Sequence, residues 1–448
     1  MNTTKKRAVI AAMALASGIF YSNFAFAGLA IQQWRMANGA QVYLAESQAI
    51  PMVDVQLDFD AGSRRDPAPQ TGLASATAGM LSKGVRASGT LPALDENSLG
   101  EAWADLGASF GAGTSSDRFS LSLRSLAYPD LLPKAAALAA RQLAEPAFPA
   151  AVWQRERERQ IASLKEADTR PATLAGRAFN QAVYGSHPYG QQTTEATLGR
   201  ISVADMQAFH RNYLSACRAQ VSIVGAVTKA QAEVLAATLL SRLPAGDCKP
   251  LPAVPEVLPL AAPVAQAIPF NAAQAHVYIG QPGFKRDDPD FFPLFVGNYV
   301  LGGGGFVSRL ANEVREKRGL SYSVSSYFAP GLHAGAFILG LQTRPDQSAE
   351  AVRISRDVVE KFVAQGPTEA ELQAAKDNLI GGFALRIDSN RKLLDNLANI
   401  ALHGLPLDYL DTWTQQVDKV TVADIRAAFQ RKLQPQKMVT VVVGGALP

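Results

Sequence analysis

The chain has 448 residues; the first 27 read as removable, and the 421 that remain suit two domains of about 200 better than one. A hydrophobic content of 48% with 18% charged residues excludes a disordered or fibrous chain. The formal charge of +4 includes three bases within residues 1–27, so the remainder stands near +1, which excludes an electrostatic nucleic-acid binder.

In chain order, Lys5, Lys6 and Arg7 open a basic start and a charge-free apolar run follows from Ala8 to Phe20. Ala25-Phe26-Ala27 then gives the small-x-small pattern of a signal-peptidase site before Gly28. Residues 1–27 are therefore expected to be a cleaved signal peptide, with an uncleaved anchor as the rival reading. No later stretch approaches the ~20 apolar residues of a spanning helix. No stable membrane insertion is expected. The expectation is a soluble, exported, periplasmic protein. Cys217 and Cys248 are the two cysteines. Such a compartment permits a bridge between them, and two unpaired buried thiols are the equal alternative.

Alternating strands are predicted at Val53–Phe59, Phe119–Leu126 and Ala336–Leu341, among Ala/Leu-rich helices at Leu131–Leu143, Ala150–Asp168 and Ser348–Gln365. Seven prolines fall between Pro244 and Pro269, a density that reads as an extended linker. The halves on either side echo each other. Ser202–Asp205 and Thr421–Asp424 are both capping-box-like helix starts, 219 positions apart. Each precedes a Val-rich strand ending in glycine, Val221–Gly225 and Val439–Gly444. A looser echo pairs Asp54–Gly84 with His276–Gly304. The expected fold is α+β: two similar lobes, each a mostly antiparallel sheet packed with helices. Their bounds are read as 28–243 and 270–448, joined by the linker 244–269.

Gly72-Leu73-Ala74-Ser75-Ala76-Thr77-Ala78-Gly79-Met80-Leu81-Ser82-Lys83-Gly84 resembles the zinc-site helix of the pitrilysin/insulinase metallopeptidases, the inverted zincins. That helix runs Gly-x-x-His-x-x-Glu-His-Met-x-x-Lys-Gly. The resemblance continues through Tyr184–Gly190, the capped helix at Ser202, Leu301–Phe306, Leu310–Tyr322 and Leu405–Leu410, and so covers nearly all of residues 30–445. It implies a clamshell of two lobes.

In His-x-x-Glu-His, positions i, i+3 and i+4 share one helical face; two imidazoles hold zinc and the glutamate takes a proton from its water. Here those places carry Ser75, Ala78 and Gly79, a degenerate site with no metal expected in this chain. The family's distal zinc-binding glutamate would fall near Glu158, with Glu156 the other register; such an orphan carboxylate reads as part of a solvated helix face. His187 sits in a His-Pro turn and reads as structural. The Gly302–Gly305 run lacks the Lys-Ser/Thr of a phosphate loop and reads as close backbone packing.

Arg315-Glu316-Lys317-Arg318-Gly319-Leu320-Ser321-Tyr322 resembles the Arg/Tyr pair of the family's second domain. There the arginine contacts bound peptide and the tyrosine donates to the oxyanion. The bland alternative pairs Arg315 with Glu313 or Glu316 on a surface helix and leaves Tyr322 to begin a strand. A chain with this pair and no zinc site resembles the non-zinc subunit of a bacterial two-chain peptidase. The expected partner is an intact zinc-site relative that carries the zinc, and the expected substrate is a peptide or unfolded segment. By itself the chain is expected to be no peptidase. The competing expectation is a structural or peptide-binding paralogue with no catalytic role.

Overall fold

A computed structural model describes residues 30–245 and 248–448. The expected signal peptide lies outside the described residues. Among the described residues, eleven strands form two sheets. The first holds β1 (Ile31–Arg35), β2 (Gln41–Glu46), β3 (Met52–Phe59), β4 (Ser109–Thr114), β5 (Phe119–Leu126) and β6 (Gln220–Gly225), in the order β1-β2-β6-β3-β5-β4. The second holds β7 (Val264–Ile268), β8 (Ala275–Pro282), β9 (Val324–Phe328), β10 (Ala336–Thr343) and β11 (Val439–Val443), in the order β7-β11-β8-β10-β9.

Laid over each other, the two orders match strand for strand, with β1 as the one addition. The parallel pairing β2–β6 corresponds to β7–β11, and every other pairing is antiparallel. The fold is α+β with two similar lobes. Both repeated helix starts close as full capping boxes, Ser202 with Asp205 and Thr421 with Asp424.

The first strand of the second sheet lies within the proline-rich span. β2 and β7 start at Gln41 and Val264, the same 223 positions apart as β3 and β8 at Met52 and Ala275. The span 244–269 therefore includes the first strand of the second sheet. Pro263 and Pro269 stand just outside β7, which lies at the sheet edge, so neither interrupts the ladder. The preceding described residues form no helix or strand and are mostly exposed, and Cys248 is disulfide-bonded to Cys217, which fastens the start of the connection to the first lobe.

One face of each sheet carries the main core of its own lobe. Val53, Val55, Leu57 and Phe59 serve the first, and Val277, Ile279, Phe337 and Leu339 the second. The other face is covered by a helix from the opposite half. Helix Pro171–Tyr184 brings Ala175, Phe179 and Val183 onto Val439, Val441 and Val443. Helix Asn390–His403 lays Leu393, Leu394, Leu397 and Ile400 on Tyr43, Ala45 and Val224. The exchange makes each lobe's packing depend on the other.

Polar contacts reinforce it. Asp117 accepts from Arg64 Nε at 2.9 Å, from the Tyr189 hydroxyl at 2.5 Å and from the Leu332 amide of the second lobe at 3.0 Å. His187 is buried in this seam: its Nδ1 accepts from the Tyr189 amide, so its Nε2 donates to the Pro255 carbonyl at 2.9 Å. Burial holds its pKa below the usual value, so the ring is a neutral joint between lobe and linker.

Candidate functional site

Helix Leu73–Met80 begins at Gly72, whose φ of 107° suits glycine. Asp66 caps it, its carboxylate accepting from the amides of Gly72 at 2.8 Å and Ala74 at 2.9 Å. Ser75 and Gly79, one turn apart, are exposed on one side, whereas Ala78 is buried in the core of the first lobe. A Cβ at Gly79 would meet nothing within 4 Å. The face on which a metal would sit is thus present, and its donors are not. Alanine and glycine carry no ligand atom and a neutral serine hydroxyl is a poor one, so zinc does not fit these residues. Among the described residues, no three His, Cys, Asp or Glu side chains are grouped to hold a metal ion.

The two carboxylates on helix Ala150–Ala167 have different surroundings. Glu158 is exposed and accepts from Gln154 Nε2 at 3.3 Å. Glu156 is buried and lies 3.6 Å from Lys83 Nζ, with Arg159 also paired to it. Burial alone would raise its pKa, yet Arg159 and Lys83 together hold it below the usual value. The solvated-face reading therefore fails at Glu156. Residues two apart on a helix lie about 160° apart around its axis, so these two side chains point to opposite sides.

The second candidate region follows the glycine run. A Cβ on Gly302 would come within 2.3 Å of Ser326 Oγ, so the missing side chain lets this segment lie against β9. Asn298 completes the joint, donating from Nδ2 to the Ser326 carbonyl and accepting from its hydroxyl at 2.7 Å. The chain then forms a wide helical turn at Ala311–Glu316. Gly319, at φ +61°, reverses it, with its amide donating to the Arg315 carbonyl at 2.8 Å. Leu320 and Ser321 are buried and anchor the return, and Tyr322 stands 86% exposed before β9.

Arg315 and Tyr322 line one open cleft of about 550 Å³, together with Glu316, Gln274, Gln342 and Arg344. The Tyr322 hydroxyl has no hydrogen-bond partner among the described residues. Arg315 Nε lies 3.6 Å from Glu316 Oε1, as the bland reading expects, whereas Glu313 is taken by Lys317 and Arg318. The Arg315 guanidinium also sits 4.3 Å from the centroid of the Phe306 ring, a contact that the sequence reading missed. A bulky apolar residue directly after four glycines was its one available signal.

Residues 41–197 match the model of the insulinase family (peptidase family M16), and residues 200–379 that of the peptidase M16 inactive domain. A solved peptidase M16 inactive domain from Pseudomonas fluorescens is 34% identical, with a TM-score of 0.88 over 94% of this chain and 98% of that one. The chain belongs to the insulinase family. Among curated family relatives, an uncharacterized zinc protease of Streptomyces coelicolor is 33% identical over 38% of this chain, a match that spans only 37% of that protein. The non-peptidase homolog YmxG of Helicobacter pylori is 26% identical over 86% of this chain and 87% of its own length. As an insulinase-family member, this protein keeps the fold and the zinc-site helix but lacks the donors.

Proposed function

We propose that this protein is the non-zinc subunit of an exported two-chain zinc peptidase, and that it acts on peptides or unfolded segments. An intact zinc-site relative would be its partner and would carry the metal. The observation that supports this reading most is the shared cleft of Arg315 and Tyr322, in which the phenol hydroxyl is unengaged. In this reading Arg315 binds a carbonyl of the extended peptide through its N–H fork. Tyr322 donates its proton as a hydrogen bond to the oxygen that gains negative charge when the scissile carbonyl is attacked. Such a donor acts most strongly where water is excluded, which the enclosing partner would provide. Residues 1–27 would direct the chain to the periplasm, and among the described residues no helix is long and apolar enough to cross a membrane.

The test is to pull the tagged chain from periplasm, identify what co-purifies, and assay zinc and peptide cleavage in the pair and in each chain alone. The reading expects a zinc-bearing relative and cleavage only by the pair. A stable pair whose activity is unchanged by Tyr322→Phe and Arg315→Ala would leave the non-catalytic paralogue as the better account.

A further inference from the structure

Phe306 is 72% exposed and Val307 beside it 79%, whereas Phe337, Phe362 and Phe429 of the same lobe are fully buried. The turn that carries Phe306 is firmly built. Gly305 adopts φ +63°, and the Gly305 carbonyl accepts both the amide of Ser308 at 3.1 Å and its hydroxyl at 2.7 Å, with Ser308 itself fully buried. A rigid turn thus presents a large ring to solvent, and the ring's aromatic contact is the Arg315 guanidinium.

Arg315 has two neighbours that compete for it, the Phe306 ring and the Glu316 carboxylate at 3.6 Å. They differ in what they consume. A carboxylate takes the N–H edge of a guanidinium, the same edge that a peptide carbonyl needs. An aromatic ring that stacks on its flat face leaves the N–H edge free. An exposed ion pair is weak and does not by itself hold a long side chain in one place. We infer that Phe306 is a positioning residue: it holds the Arg315 guanidinium by its face and keeps the N–H edge available to a peptide carbonyl. This deepens the reading above and rests on it.

The experiment uses the assembled pair and one internally quenched peptide that it cleaves. KM and kcat are measured for Phe306→Leu, Phe306→Tyr, Arg315→Ala and the double variant Phe306→Leu/Arg315→Ala. The Kd of the same peptide carrying a fluorescein label is read by anisotropy on the chelator-treated pair, which binds without turnover. Phe306→Leu should raise KM and Kd about 2- to 5-fold, the scale of an exposed cation–π contact, with kcat unchanged. Phe306→Tyr should restore both, and in the Arg315→Ala background Phe306→Leu should add nothing. If Phe306→Leu is silent while Arg315→Ala weakens binding, the inference is overturned and the role of Arg315 stands. An undiminished Phe306→Leu effect in the Arg315→Ala background also overturns it, because the ring then acts on peptide directly. A silent Arg315→Ala overturns the inference together with the reading on which it rests.

Discussion

The ring of Phe179, from the first half of the chain, fills the space that Gly280 of the second half leaves in the middle of β8. A Cβ on Gly280 would come 2.9 Å from Phe179 Cζ and 2.0 Å from the Phe337 carbonyl oxygen. Gly280→Ala should therefore destabilise the whole protein by about 2 kcal/mol, the scale of overpacking a rigid core. Chemical denaturation followed by tryptophan fluorescence measures this, and a change below about 0.5 kcal/mol would show that the two halves are less tightly joined than this contact implies.

Because each sheet is covered by a helix from the other half, cutting the connection should not separate the lobes. Proteinase K is expected to nick the mostly exposed, irregular stretch before β7. The two fragments should still elute together on size exclusion and part only in denaturant. Independent elution in plain buffer would argue that the Phe179 and Leu397 packing contributes little.

Gly79→His should fold like the parent, since a Cβ there meets no neighbour and loss of a helical glycine shifts stability by under about 1 kcal/mol. It should still hold no stoichiometric zinc, because three protein ligands are needed. Ala78→Glu is different. It puts a carboxylate at a position buried in the core of the first lobe and should cost several kcal/mol. Elemental analysis and thermal melts of the two variants check both statements.

Tyr322→Phe keeps the ring and removes a hydroxyl that no described residue engages, so its stability should lie within about 0.5 kcal/mol of the parent. Turnover by the assembled pair should fall about 10²-fold, the scale of losing one oxyanion donor. Comparing kcat at matched assembly is the check; an unchanged kcat removes Tyr322 from the chemistry.

Glu371 accepts from Arg309 Nε and Nη2, both at 2.7 Å, and from the Thr368 amide at 2.7 Å. The arginine, then the cap, hold its carboxyl at about 2 rather than the usual 4.5. A depressed folded-state value means that its stabilisation is complete above pH 4.5 and fades as pH falls toward 2. Glu371→Gln should be less stable at pH 7 by about 1 kcal/mol, allowing for the screening of a partly exposed pair. That difference should shrink between pH 4.5 and 2. Urea midpoints across this range decide it, and a constant difference would mean that the loss comes from the cap geometry alone.

Features whose interacting groups lie close along the chain were legible in the residues. The Ser202 and Thr421 caps are contacts between residues three apart. The strand alternation of Phe119–Leu126 is a period of two, and Gly319 between Arg315 and Tyr322 is a chain reversal over a few residues. The loss of zinc donors at Ser75, Ala78 and Gly79 needed only residue identity at fixed helical spacing. Tertiary structure alone decided the rest, because it depends on which distant surfaces meet. β7 hides between Pro263 and Pro269, since an edge strand has no pattern of its own until β11 pairs with it. Glu156 is buried, paired with Arg159 nearby and reached by Lys83, more than 70 positions away, whereas Glu158 faces solvent. The exchange of helices 171–184 and 390–403 has no local signature either: each shows an apolar face, and that face does not say which sheet it will cover.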